Sequence, residues 1–214
     1  MSSLETRALA FRPEIRALDD SESIGTLTGY ASVFGQRADI MGIFSEEIAP
    51  GAFAESLTAG DDVRALYDHD TAAILGRRSA QTLRLSEDQT GLAVEIDLAD
   101  TTLGRDILAN VRAGNLDGMS IGFRVRRETW DDDLDLRIIE SVELLEVSVV
   151  TFPAYTDTTV SASRGLDPEL EMAELRSLRD SATSTARRPD FPRRRSPLSL
   201  LRKRRRRLTL TLNR

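Results

Sequence analysis

Gly118-Met119-Ser120-Ile121-Gly122-Phe123-Arg124-Val125 reads as a loop that delivers a serine onto a short strand. Ile121, Phe123 and Val125 alternate with Ser120, Gly122 and Arg124, the period of a half-buried strand. The apolar set faces a core, and Ser120 stands on the other face. Gly118 and Gly122 leave backbone and space open around its hydroxyl. A serine placed this way is a candidate nucleophile and equally an ordinary strand serine. The octapeptide does not choose between these; partners elsewhere in the chain must.

A serine nucleophile needs a base to take its proton and a carboxylate to orient that base. The chain has one histidine, His69, and no cysteine. Any imidazole base is therefore His69. Disulfides, thiolate metal sites, a cysteine nucleophile, a histidine metal cluster and a Ser-His-His arrangement are excluded. His69 ends a strand over residues 63–69, in which Val63, Ala65 and Tyr67 alternate with Arg64, Leu66 and Asp68. For the third member the sequence offers Glu140, Glu143 and Glu146 in one strand-like run, and Asp68 and Asp70 beside the histidine. Glu146 precedes the apolar run Val147-Ser148-Val149-Val150, and a carboxylate so embedded requires a partner. That partner is an imidazole on one reading and an arginine on the plainer one.

Outward from these residues, strands are expected over 25–34, 43–48, 82–85, 92–98, 120–128 and 136–150, the last with a bend in 140–146. Residues 7–15 allow one further strand. A short helix is expected over 52–58, closed by Gly60. A second is expected over 102–113, capped by Asp100 or Thr101 and ended by Gly114. Many strands, few helices and several non-helical links favour an antiparallel or mixed barrel with peripheral helices over a doubly wound sheet.

Composition divides the 214 residues. The first 165 hold 15 basic and 29 acidic side chains, net -14; residues 166–214 hold 14 basic and 6 acidic, net +8. An acidic body with a basic tail implies different partners for the two parts. The expected organisation is a lead-in over 1–24, a domain over 25–163, a helical extension over 164–180 and a disordered basic tail over 181–214. The tail includes Arg202-Lys203-Arg204-Arg205-Arg206-Arg207. No apolar run approaches the length of a membrane span, and residues 1–16 lack the apolar stretch of a signal peptide.

One set of segments, in order, resembles a known family: Gly29-Tyr30-Ala31-Ser32-Val33-Phe34, Pro50-Gly51-Ala52-Phe53, Asp68-His69-Asp70, Leu75-Gly76, Gly91-Leu92, residues 118–123, and residues 145–155. Across about residues 25–160 they resemble the prohead (procapsid maturation) proteases of tailed bacteriophages. The resemblance implies a mainly β, herpesvirus-protease-like barrel with peripheral helices, as in the assemblin proteases. It maps the family's serine and histidine onto Ser120 and His69, and its acidic member onto Glu146. It implies a serine endopeptidase without cofactor or metal. Such an enzyme works inside the phage procapsid in the host bacterial cytoplasm, cutting scaffold or capsid-protein segments and itself. Self-association as a dimer is compatible with it. Nucleic acid would be met only through the tail, and no membrane is involved.

Two rival readings remain open at this stage. One is a non-enzymatic procapsid or scaffold-associated protein with a basic nucleic-acid-binding tail. The arginine run lacks interleaved aromatics, so it offers charge and no base readout. The other is a metal-dependent hydrolase built on Asp131-Asp132-Asp133, although consecutive acids in a loop usually face water.

Overall fold

The computed structural model describes residues 4–10, 13–16, 23–131, 133, 135–152 and 168–185. Two sheets carry the architecture. The first contains β1 (Glu5–Ala10), β4 (Ala38–Ile40), β5 (Phe44–Ile48), β6 (Arg64–Tyr67), β7 (Asp70–Arg77), β10 (Gly118–Trp130) and β11 (Leu136–Val150). Its path is β1-β10-β11-β5-β4, with β6 paired to β11 and β7 to β6. The second sheet contains β2 (Glu14–Arg16), β3 (Ser23–Val33), β8 (Leu83–Glu87) and β9 (Gly91–Ala99), in the order β2-β3-β9-β8.

The expected β-barrel is not formed. The content is mainly β with a few helices, but neither sheet closes. A barrel requires its last strand to bond to its first. Here β1 and β4 end one path, and β2 and β8 end the other. The cause lies in β11. This 15-residue strand takes β5 as a parallel neighbour at its start and β6 at its end. The first sheet therefore branches instead of curling shut.

The core is contributed by both sheets and one helix. Met119, Ile121 and Phe123 of β10 and Val147 and Val149 of β11 join Leu27 of β3 and Leu92, Val94, Ile96 and Leu98 of β9. Helix α2 (Thr102–Ala113) adds Ile107, Leu108 and Val111 at helical spacing. Of the two expected caps, Thr101 is used: its side chain accepts from the Gly104 amide at 3.0 Å. Asp100 instead pairs with Arg105 at 2.5 Å. Helix α1 (Ala54–Ala59) ends on Gly60, whose φ of 78° supplies the left-handed C-cap.

The spacing along β11 shows why it bends. Its core residues are Ile139, Val142, Leu144, Val147 and Val149. Steps of two keep one face, and the two steps of three break the alternation. Both breaks fall at register shifts against β10. Gly122 faces Glu146 while Phe123 faces Leu144, leaving Leu145 unpaired; a second irregularity lies around Arg127. The bulge at Leu145 lets both halves of β11 bury their valines and leucines. It also turns Glu146 and Ser148 to the opposite face of the sheet.

A buried ionic network lies on the core-bearing face at the sheet's edge, where Arg7 stands over the Phe123 ring. Arg137 of β11 is 1% exposed, and it donates to Glu46 of β5 at 2.8 Å and to Glu5 of β1 at 2.8 Å. It reaches Glu128 of β10 as well. Arg7 of β1 bonds the same Glu46 at 2.5 Å. Burial pushes the Glu5 carboxyl up, but the Arg137 and Arg7 guanidiniums outweigh it and hold the group below the usual glutamate range.

Contact density divides the chain into two units, Met1–Thr183 and Ser184–Arg214. Helix α3 (Pro168–Thr185) starts on a proline, which a first helical turn accepts, and runs past the expected end of the helical extension at 180. The expected domain boundary near 163 and the arginine run at 202–207 lie outside the described residues.

Candidate active site

His69 is presented by a two-residue turn. Tyr67 pairs with Asp70 across the β6–β7 hairpin, leaving Asp68 and His69 as its tip. Their φ angles are 47° and 58°. Two positive φ values in sequence are what the tightest hairpin turn demands, and the usual choice is Asn-Gly or Asp-Gly. An Asp-His tip costs on the order of 1–2 kcal/mol per residue. Hydrogen bonds worth about 1 kcal/mol each offset that strain. The Asp68 amide donates to the Val149 carbonyl at 2.9 Å, and the His69 amide donates to the Ser148 hydroxyl at 3.3 Å. The Asp68 carboxylate accepts from the Thr151 amide at 2.8 Å and from the Thr151 hydroxyl at 2.9 Å. Asp68 therefore anchors the turn to the end of β11.

The imidazole then meets Glu146. Nδ1 of His69 lies 2.5 Å from Oε1 of Glu146. An ionised carboxylate only accepts hydrogen bonds, so the proton between them sits on Nδ1. Nε2 is left as the proton acceptor. The second carboxylate oxygen, Oε2, accepts from the Ser148 hydroxyl at 2.5 Å. Ser148 thus touches both members, the ring's own backbone and the carboxylate that holds the ring.

Ser120 is on the same face. It stands directly opposite Ser148 in the β10–β11 ladder, two pairs along from Gly122 opposite Glu146. Directly opposed side chains in such a ladder have Cβ atoms about 5 Å apart. The Ser120 hydroxyl donates to the backbone carbonyl of Arg7 in β1 at 2.9 Å, and the side chain is fully buried. The structure therefore joins His69 to Glu146; Ser120 lies on the same face opposite Ser148, and its hydroxyl is bonded to β1 and not to the imidazole.

The other acidic candidates are engaged elsewhere. Glu140 accepts from Arg127 at 3.0 Å and from Thr129 at 3.1 Å. Glu143 pairs with Arg124 at 3.4 Å. Asp70 accepts from the Ala72 amide at 3.0 Å. Asp131 caps its own loop, accepting from the Asp135 and Leu136 amides at 2.8 and 3.1 Å. Among the described residues no three His, Asp or Glu side chains group as metal ligands.

Two contributors were not legible as site residues. Ser148 is silent in the sequence because a serine between valines carries no signal of its own. Gly122 is read there as open space; the structure shows that the space is filled. A Cβ on Gly122 would overlap the Glu146 carboxylate and crowd its Cγ. Gly122→Ala should therefore push Glu146 off Nδ1 while leaving the hydrophobic face of β10 intact. With one histidine in the chain, the low-field Nδ1 proton resonance belongs to His69 without assignment. It should be present in the wild type and lost or shifted upfield in Gly122→Ala; an unchanged resonance would show that the carboxylate is not held where Gly122 leaves room.

A carboxylate-held imidazole beside a serine on one sheet face is an arrangement used by serine hydrolases. The chain belongs to the family described as Caudovirus prohead serine protease, which it matches over residues 12–171. It is accordingly a serine-type prohead protease. It is 32% identical over 177 residues to the prohead protease of Enterobacteria phage HK97, covering 80% of this chain and 75% of that protein. It is 30% identical over 102 residues to the prohead protease of Escherichia phage T5, covering 48% of this chain and 46% of that one. In fold it is similar to the bacteriophage T4 capsid assembly protease, with a TM-score of 0.50 and 14% identity, over 69% of this chain and 96% of that one.

Proposed function

We propose that this chain is the maturation endopeptidase of a phage procapsid, with Ser120 as nucleophile, His69 as base and Glu146 as the residue that fixes the imidazole. The observation that carries this reading is the 2.5 Å contact between His69 Nδ1 and Glu146 Oε1 on the sheet face that bears Ser120. In the reaction, Ser120 Oγ attacks the scissile carbonyl carbon as Nε2 of His69 takes its proton. The imidazolium so formed is stabilised by Glu146, which keeps its charge. The Nε2 proton then passes to the leaving amine, and water repeats the cycle on the acyl-enzyme. Backbone amides receive the oxyanion. Ser148 acts as a positioning residue through its two hydrogen bonds.

The substrates in this reading are scaffold or capsid-protein segments and the protease itself. The site of action is the procapsid interior in the bacterial cytoplasm. Co-expression with the major capsid protein of the same phage tests it. The capsid protein should lose a defined segment by intact mass, and full-length capsid protein at equal expression would reject the assignment.

The tail has a separate role in this proposal. Residues 166–214 carry net +8 against net -14 for the rest. An acidic surface of the scaffold, or nucleic acid, would hold such a segment by charge, and salt would weaken that hold. Deleting residues 166–214 should abolish incorporation into procapsids and leave cleavage of a soluble substrate unchanged. Normal incorporation would defeat the recruitment role. Lost activity on the soluble substrate would extend the catalytic unit into the tail.

A further inference from the structure

A histidine stands where a hairpin of this kind takes glycine. The β6–β7 tip has two consecutive left-handed residues, and an aspartate at the first place is ordinary. His69 at the second is not. Its φ is 58°, a conformation its Cβ makes unfavourable. Relaxation of the tip would relieve that strain and swing the imidazole off Glu146, so the aim of the ring depends on what holds the tip. Building on the catalytic assignment above, we propose that the histidine is aimed by a chain of three side chains, Tyr67, Thr151 and Asp68. They are positioning residues, and they act through the backbone of the turn.

The chain has a direction. An ionised Asp68 carboxylate only accepts, so the Thr151 hydroxyl donates to it at 2.9 Å and the Thr151 amide donates at 2.8 Å. The Thr151 hydroxyl oxygen then accepts the Tyr67 hydroxyl proton at 2.8 Å. The Tyr67 ring packs against the core, which fixes the far end of the chain. At the near end the Asp68 amide donates to the Val149 carbonyl at 2.9 Å, so Asp68 is tied to β11 by backbone and side chain together. Glu146 stands on the same strand. Ring and carboxylate are thereby referred to one strand. The hairpin itself does not need this fastening. It is registered by Arg64 opposite Arg77 and Ala65 opposite Gly76, and β6 pairs with β11 from Arg64 to Tyr67. What the fastening adds is the aim of the imidazole, and a misplacement of about 1 Å can cost about a hundredfold in rate.

Three substitutions in the full chain separate aim from fold. Asp68→Gly takes the φ of 47° without strain and loses the carboxylate. Asp68→Asn tolerates the same φ and keeps an oxygen for the Thr151 amide. Thr151→Val keeps the amide and the shape and loses the hydroxyl. Each is read by its thermal midpoint, by the low-field Nδ1 proton of the lone histidine, and by the rate at which a small fluorophosphonate phosphonylates Ser120. Asp68→Gly should stay folded, lose the resonance or shift it upfield, and label about a hundredfold more slowly. Asp68→Asn should recover the resonance and most of the rate, and Thr151→Val should fall between the two. A wild-type resonance and rate in Asp68→Gly would overturn the proposal. So would an Asp68→Asn as slow as Asp68→Gly, because the effect would then lie in the charge of the carboxylate and not in its hold on Thr151. If Asp68→Gly does not fold, Thr151→Val decides: an unchanged resonance and rate would overturn the proposal there. Failure of the nucleophile assignment looks different. Labelling would then persist in Ser120→Ala, while the Nδ1 resonance would still report the aim of the ring.

Discussion

Ser120→Ala should take cleavage of the co-expressed capsid protein to background, a loss on the order of a million-fold in turnover if the family chemistry runs as it does in other serine proteases. The fold should survive. Ser120 gives one hydroxyl bond to Arg7, and removing a single such bond costs about 1 kcal/mol. The core residues on either side, Met119 and Ile121, are untouched. A thermal midpoint close to that of the wild type with no detectable product is the expected pair of results. Product formed at the wild-type rate would remove Ser120 from the mechanism.

The second large effect concerns the base and its carboxylate. His69→Ala removes the group that takes and returns the proton, and turnover should fall nearly as far as in Ser120→Ala. Glu146→Gln keeps the size of the side chain but replaces an acceptor with an amide. It permits the ring to protonate at Nε2 instead of Nδ1, which turns the base away from its task. A loss of about ten-thousand-fold is expected, smaller than that of His69→Ala. Wild-type activity in Glu146→Gln would shift the orienting role to another acid, although Glu140 and Glu143 are both engaged with arginines on β10. Ser148→Ala should cost less than either. It leaves the imidazole–carboxylate contact in place and removes the 2.5 Å bond that steadies Oε2.

What the sequence revealed and what it hid follow from the range of the forces concerned. Helix α2 was legible, down to its C-cap Gly114 and a choice of two N-caps, because these residues and the apolar spacing of Ile107, Leu108 and Val111 all act within a few positions. The bend in β11 was legible because an apolar period that jumps from two to three must be resolved locally. The open sheets were not. Alternation states which face of a strand is buried and is silent on its neighbours, so nothing in β11 announced that it borders β5 at one end and β6 at the other. The same limit governs the site. Ser120, His69 and the acids could be singled out by type, and among three evenly spaced glutamates Glu146 stood out only by the apolar run beside it, which does not say whether its partner is an imidazole or an arginine. The pairing register supplies what the residues lacked: Glu146 faces Gly122, where the absent side chain leaves room for its carboxylate. The contact of Ser120 with Arg7 spans 113 positions and had no local trace.

The most direct test of the site is to find where a serine-reactive fluorophosphonate attaches on the full-length protein. After labelling and digestion, mass spectrometry should locate a single adduct on Ser120, and the same treatment of His69→Ala should leave that serine unmodified. An adduct on another serine, or labelling of Ser120 that does not depend on His69, would contradict the Ser120–His69–Glu146 assignment.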